Sequence, residues 1–332
     1  MHANRRRTWI QLGLGLAFPA LLAPTARGQT VWPTRAITMV IPTSPGAGLD
    51  LHARAFAEEM SKELGQPIVM DYRAGAGGTV GAGVLAKAPA DGYTVMVATT
   101  APLYSAPFLF ARLPYDVRKD FSFISRLTDG GLVFVVNKDV PAKTLPDLVT
   151  WIRQQGAGRV NYGSYGTGGT GHMLSAFFNE SRQLGLTHVP YKGETPLLQA
   201  LLAGEVPIGI TGIPASMPHF TSGRLRPIAV FGGQRAQPLP DVPTMAESGF
   251  NEPEYGFSGG LILVAPAGIP PQALARLETA ARNAARLPGI RARILAEGVG
   301  VVGSTGDELR KHFEASLPAV ERLVKASGAK AE

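Results

Sequence analysis

An alternation of apolar strand, glycine-bearing turn and amphipathic helix constrains this chain more than any other feature. The β-branched run Ile37 to Ile41 passes through Pro42-Thr43-Ser44-Pro45-Gly46-Ala47-Gly48-Leu49-Asp50 into a helical pattern over Leu51 to Leu64, stopped by Gly65. Pro67 to Asp71 is the next strand, followed by a second glycine turn from Arg73 to Thr79, a helix of small residues ending before Pro89, and a third strand from Tyr93 to Ala98. A βαβαβ series of this kind predicts a parallel sheet covered by helices. The turns leave the first N–H groups of each helix unpaired, with the positive end of the helix dipole behind them. The ligand they favour is an anion.

A second series follows an irregular stretch. Thr144 caps a helix over Leu145 to Gln155, and Val160 to Gly163 is a strand leading into Ser164-Tyr165-Gly166-Thr167-Gly168-Gly169-Thr170-Gly171. A helix from His172 to about Arg182, a strand from Thr187 to Tyr191, a helix from Pro196 to Leu202 and strands over Val206 to Thr211 and Ile228 to Phe231 continue the pattern. Asp129-Gly130-Gly131 and Gly260 to Val264 stand where the chain would cross between two units. Helices over Gln272 to Arg286, Ile290 to Glu297 and Asp307 to Ala326 close the chain, with Pro318 expected to kink or break the last. At 332 residues the chain is too long for one comfortable core. Two α/β lobes with two crossings make a hinged cleft.

Residues 1–28 read as a secretory leader: Arg5, Arg6 and Arg7 precede an apolar run from Trp9 to Ala23, and Ala26-Arg27-Gly28 offers small residues for cleavage. Its Arg-Arg-Thr-Trp-Ile wording also fits twin-arginine export. Removing it takes away four arginines and no acid, so the formal charge falls from +7 to +3. With no Lys/Arg block, nothing points to nucleic acid. The chain has no cysteine, which excludes disulfides, thiolate metal sites and a cysteine nucleophile.

Gly166 to Gly171 spells G-x-G-x-x-G between a strand and a helix, so a secreted α/β enzyme holding a phosphate or nucleotide there is the alternative function. The acid expected after the next strand is missing at Val189-Pro190-Tyr191. Gly163-Ser164-Tyr165-Gly166 fails as a nucleophile elbow, because Tyr162 stands where glycine is needed. His52, His219 and His312 read as surface residues, and His172 as a cap or ligand contact at a helix start. Asp50 satisfies helix-terminal N–H groups, fixes the first turn, or accepts from a ligand ammonium. No second carboxylate accompanies it, so acid/base catalysis has no visible apparatus. No cofactor or metal is called for.

The first loop, Ile41 to Asp50, resembles that of the Bug family, the solute receptors of tripartite tricarboxylate transport systems. RAGAGG (73–78), KAPADGY (87–93), LPYD (113–116), NYGS (161–164) with Gly166 to His172, HVPYKG (188–193), LPDVPTMAE (239–247) and APAGIP (265–270) resemble its landmarks in its order. The resemblance implies a periplasmic binding protein of the two-lobed, type II Venus-flytrap fold, with residues 1–28 as signal peptide, 29–128 and 257–332 as the first lobe and 129–256 as the second. It implies a monomer that closes on a small organic carboxylate and presents it to membrane transporter components. Its ligand contacts fall on Thr43, Ser44, Gly46, Ala47, Gly48 and Asp50 in the first lobe, and on Ser164, Thr167, Gly168, Gly169, Thr170 and His172 in the second. Thr99, Thr100 and Thr211 stand where the far end of the ligand would lie. The chain departs from the family at Thr100 to Ser105 and at Thr211, where an acid is common, and Leu49 and Tyr104 suggest an apolar or aromatic carboxylate.

Overall fold

A computed structural model describes residues 32–46 and 48–330, so the leader and Ala47 lie outside the described residues. The first half of the chain forms β1 (Ile37–Ile41), α1 (Gly48–Leu64), β2 (Ile68–Tyr72), α2 (Thr79–Ala86), β3 (Thr94–Thr99), α3 (Ala106–Leu109), α4 (Val117–Asp120), β4 (Phe121–Arg126), β5 (Thr128–Gly130) and β6 (Leu132–Asn137). Next come α5 (Leu145–Gln155), β7 (Asn161–Ser164), α6 (Thr170–Arg182), β8 (Thr187–Pro190), α7 (Glu194–Ala203), β9 (Ile208–Gly212), α8 (Ile213–Thr221) and β10 (Leu225–Val230). The chain ends with β11 (Leu261–Pro266), α9 (Pro271–Arg286), α10 (Pro288–Ala296), β12 (Val299–Val301) and α11 (Gly306–Ser327).

These strands build two five-stranded sheets, in the orders β2-β1-β3-β11-β4 and β10-β6-β9-β7-β8. In the first, β1 runs parallel to β2 and β3, while β11 is antiparallel to both of its neighbours. In the second, β7 is parallel to β8 and β9, and β6 is antiparallel to β9 and β10. Successive side chains of a strand point to opposite faces, so each sheet feeds two cores. Val95 and Val97 of β3 pack with α1 and α9, whereas Met96 and Ala98 face α2 and α11. Val133 and Val135 of β6 likewise meet α7, whereas Phe134 and Val136 meet α5 and α6.

The chain passes from the first sheet to the second between β4 and β6 and returns between β10 and β11. Both passages are tied together. Leu261 N–H donates to Thr128 Oγ1 at 2.9 Å, Ser258 Oγ donates to Asp129, and Arg126 pairs with Asp129. Gly260 has φ +109° and lies so close that a Cβ would sit 2.3 Å from Thr128 O. Only glycine fits there. The short ribbon β5–β12 lies beside this joint.

α11 runs unbroken from Gly306 to Ser327 through Pro318, so the break that the proline could have caused does not occur. It packs on β4 with one end and on α6 with the other, so one apolar cluster continues from Met96 through Phe313 and Val320 to Phe134 and Phe178. α8 is a helix that its prolines hide from a sequence reading. Pro214 sits in its first turn, where a missing N–H costs nothing, and Pro218 lies inside.

Candidate functional site

The parallel strands of each sheet end on one edge, at Ile41, Tyr72 and Thr99 in the first and at Ser164, Pro190 and Gly212 in the second. Crevices outside such carboxyl ends are where α/β sheets bind ligands.

In the first loop the governing residue is Asp50. It is buried, and its Oδ2 accepts the Gly46 N–H at 2.8 Å, while Oδ1 accepts the Tyr72 hydroxyl at 2.7 Å and lies 3.0 Å from Arg54 Nε. Burial pushes its pKa up, but the Gly46 N–H, the Tyr72 hydroxyl and Arg54 outweigh that and hold the carboxyl below its ordinary value. Asp50 thus spends both oxygens on shaping the loop. Ser44, Gly46 and Gly48 are exposed, Gly46 with φ +81°, and Thr43 is half-buried.

In the second-lobe turn the N–H groups are mostly spoken for. Gly168 donates to His172 Nδ1 at 3.1 Å, Gly169 to Gly166 O at 3.2 Å and Gly171 to the Tyr165 hydroxyl at 2.9 Å. The Thr167 and Thr170 N–H groups have no acceptor among the described residues. Ser164 is fully buried, with Oγ 2.7 Å from His188 Nε2. His172 is buried, and burial together with the neighbouring His188 pulls its pKa down to about 4.

A cavity of about 280 Å³ opens between the two lobes. From the second lobe it takes Tyr165 to Gly169, and from the first it takes Ala76, Gly77 and Thr79 of the second glycine turn, with Ala101, Ala106, Leu109 and Phe110. Ala329 and Lys330, beyond α11, complete it. Thr167, Gly168 and Gly169 are therefore brought together with a wall that sequence reasoning did not assign to the site. The signal was present in the glycines of Arg73 to Thr79, where Ala76 has φ +43° and Gly77 φ +63°. A left-handed alanine is uncommon and carries strain. Thr79 Oγ1 holds it by donating to Ala76 O at 2.9 Å.

Other expected residues stand apart from this lining. Thr43, Ser44, Gly46, Gly48 and Asp50 belong to the neighbouring loop, whose Pro42 packs within reach of Gly78 and Gly81. Thr99 ends β3, Thr100 is buried with its carbonyl accepting from Leu103 and Tyr104, and Thr211 is fully buried with Oγ1 2.7 Å from Ser216 Oγ. Tyr104 and Leu49 do not supply the apolar character expected of them. Tyr104 is inside the core, edge-on to Phe313 at 4.9 Å, and Leu49 is buried with α1. His52, expected at the surface, is buried with Nε2 2.7 Å from Glu297 Oε2. A larger hollow of about 380 Å³, beside the β5–β12 ribbon, includes no part of the Gly75–Thr79 or Ser164–Gly169 turns.

A family model described as Tripartite tricarboxylate transporter family receptor matches residues 52–329. Protein BugT of Bordetella pertussis is 32% identical over 328 residues, covering 98% of this chain and 99% of its own. Among solved structures, R. palustris Rpa4515 with adipate superposes with a TM-score of 0.78 at 31% identity, covering 90% of this chain and 100% of that one. MatC from Rhodopseudomonas palustris with bound malate gives 0.73 at 29% identity, covering 88% and 100%. The mixed α/β, two-lobed architecture is that of the periplasmic binding proteins.

Proposed function

The chain belongs to the tripartite tricarboxylate transporter receptor family, the Bug proteins, and on that premise we propose that it closes over a small carboxylate with an apolar body and hands it to a membrane transporter. The family and the relatives are solute-binding receptors, not enzymes, and family members are periplasmic. Export through residues 1–28 and lobes of 29–128 with 257–332 and of 129–256 are parts of the same proposal.

One observation carries the ligand class: apolar side chains and unpaired N–H groups line the same cavity. Ala101, Ala106, Leu109 and Phe110 supply the walls. Thr167 from the second lobe and Ala76 and Gly77 from the first are on the lining, and their N–H groups have no acceptor among the described residues. Charge-assisted bonds from N–H to carboxylate contribute roughly 1.5–3 kcal/mol each, and an apolar chain between them loses nothing by leaving water. Lys330 is the cationic side chain on the lining. A relative's structure holding adipate and another's holding malate support a carboxylate, and the apolar walls favour the adipate type. A phosphate or nucleotide at the Gly166 turn gains no support, since Gly168, Gly169 and Gly171 already donate within the protein.

Binding to the native state alone raises stability by RT ln(1 + [L]/Kd), so melting curves read the ligand directly. Adipate is expected to raise Tm more than malate or citrate at equal concentration, and calorimetry should give the same order. Leu109 reaches across the cleft, with Cδ1 3.4 Å from where a Cβ on Gly168 would stand. Leu109→Trp should fill the cavity and abolish the adipate response while the variant still unfolds cooperatively. A tight response to citrate with none to adipate would refute the apolar ligand, and full adipate binding by Leu109→Trp would misplace the site.

A further inference from the structure

Behind the second-lobe turn stand two imidazoles in face-to-face contact. His172, in the first turn of α6, and His188, on β8, have centroids 3.8 Å apart and planes inclined by 18°, and Tyr162 of β7 extends the stack at 5.0 Å from His188. Both rings meet the turn, and His172 does so with a lone pair. His172 Nδ1 accepts the Gly168 N–H, so the proton of the neutral ring is on Nε2. Ser164 Oγ receives the Gly166 N–H at 3.4 Å, lies 3.4 Å from Gly166 O and 2.7 Å from His188 Nε2, so its hydroxyl can donate to or accept from His188 according to the tautomer of that ring.

We infer that His172 is a positioning residue that holds the second-lobe turn ready for an anion only while its ring is neutral, with His188 stacked behind it. The inference rests on the carboxylate reading above. Its physical basis is an asymmetry between the two partners. If His188 takes a proton, the Ser164 hydroxyl can rotate and accept from it. If His172 takes one on Nδ1, that N–H faces the Gly168 N–H, and neither can turn away. The cation would also sit against a second imidazole in a buried stack, where a charge is costly.

The surroundings offer no compensation. β9 carries no titratable side chain, and β7 contributes Tyr162, whose pKa burial raises to about 12. Glu254 and Tyr255, from the 3-10 turn Pro253–Gly256, and Glu321, Arg322 and Lys325 of α11 belong to elements packed against α6, as Glu180 and Arg182 belong to α6 itself, and Glu254 is held by Arg322. Burial lowers both rings, and the neighbouring His188 lowers His172 further. A histidine whose pKa falls on folding supplies its stabilisation above its ordinary value of about 6.5 and loses it as pH drops toward the folded value. For His172 that value is about 4.

Adipate titrations between pH 7.5 and 3.5 on wild type, His172→Asn and His172→Phe test this. Asn places Oδ1 near the position of Nδ1 and cannot titrate, whereas Phe keeps the stack and removes the acceptor. His172→Asn should match wild type at pH 7.5 and pull ahead as the pH falls, by only about 1.3-fold at pH 4.5 and up to about four-fold at pH 3.5, since a ring whose pKa is about 4 is mostly protonated only at the lower value. His172→Phe should be weaker throughout. Protonation of adipate itself is common to all three and cancels in the ratios. Parallel pH curves for wild type and His172→Asn, or an Asn variant as weak as Phe at pH 7.5, would overturn the inference. Imidazole nitrogen NMR of the ligand-free protein decides the geometry without any ligand. A proton on His172 Nδ1 at neutral pH sinks the inference, while a bare Nδ1 with no adipate binding faults the ligand reading alone.

Discussion

Asp50 illustrates how far a single residue can be read. Its place at a helix start after a glycine turn is visible in the sequence, and so is Arg54 one helical turn on. Tyr72 is not, because it comes from the next strand and meets Asp50 only when β1 and β2 pair. With three protein partners, the carboxylate is a structural anchor of the first loop. Asp50→Asn should cost about 1–3 kcal/mol at pH 7, since a charged acceptor is lost from a buried cluster. The folded pKa lies below the ordinary value, so this stabilisation is present above pH about 4 and disappears as pH falls through the folded value. Urea unfolding of both proteins at pH 7 and pH 3 should therefore show a gap that narrows in acid. An equal gap at both pH values would mean that Asp50 acts by packing alone.

At the scale of elements, strong periodicity and capping were legible and short or proline-bearing pieces were not. α5 begins where Thr144 places it: the Thr144 side chain accepts from Asp147 N–H at 3.2 Å, and Asp147 returns a bond from Thr144 N–H at 3.2 Å. This capping box aims Leu145, Leu148 and Ile152 into the core. Thr144→Ala should lower stability by about 1 kcal/mol, read from chemical denaturation, with ligand affinity unchanged. A loss of affinity equal to that of a cavity variant would show that α5 also supports the turn. The ribbon β5–β12 escaped the sequence because each strand has three residues and pairs across some 170 positions of chain. The sequence marks Arg73 to Thr79 as a turn, but that it forms a wall of the cavity depends on how the left-handed backbone at Ala76 and Gly77 faces the other lobe.

For the whole molecule, the alternation of strand and helix and the two crossings point to two lobes, yet nothing in it says that α11 joins them. Because α11 carries one core from β4 to α6, calorimetric unfolding should give a single cooperative transition. Leu323 is fully buried in this helix, and Leu323→Ala should lower the stability of the whole by about 2–5 kcal/mol. Two separate transitions, or a loss confined to one of them, would mean that the lobes unfold independently. By itself the sequence determined the types of the longer elements, the glycine turns between them and the family, because periodicity, glycine placement and local motifs are properties of neighbouring residues. Only the tertiary structure decided which turns line the cavity, where Tyr104 and Thr211 are buried, and that His172 meets His188 across 16 residues of chain. Those outcomes depend on how separate strands register and how helices pack over them, which no local stretch specifies.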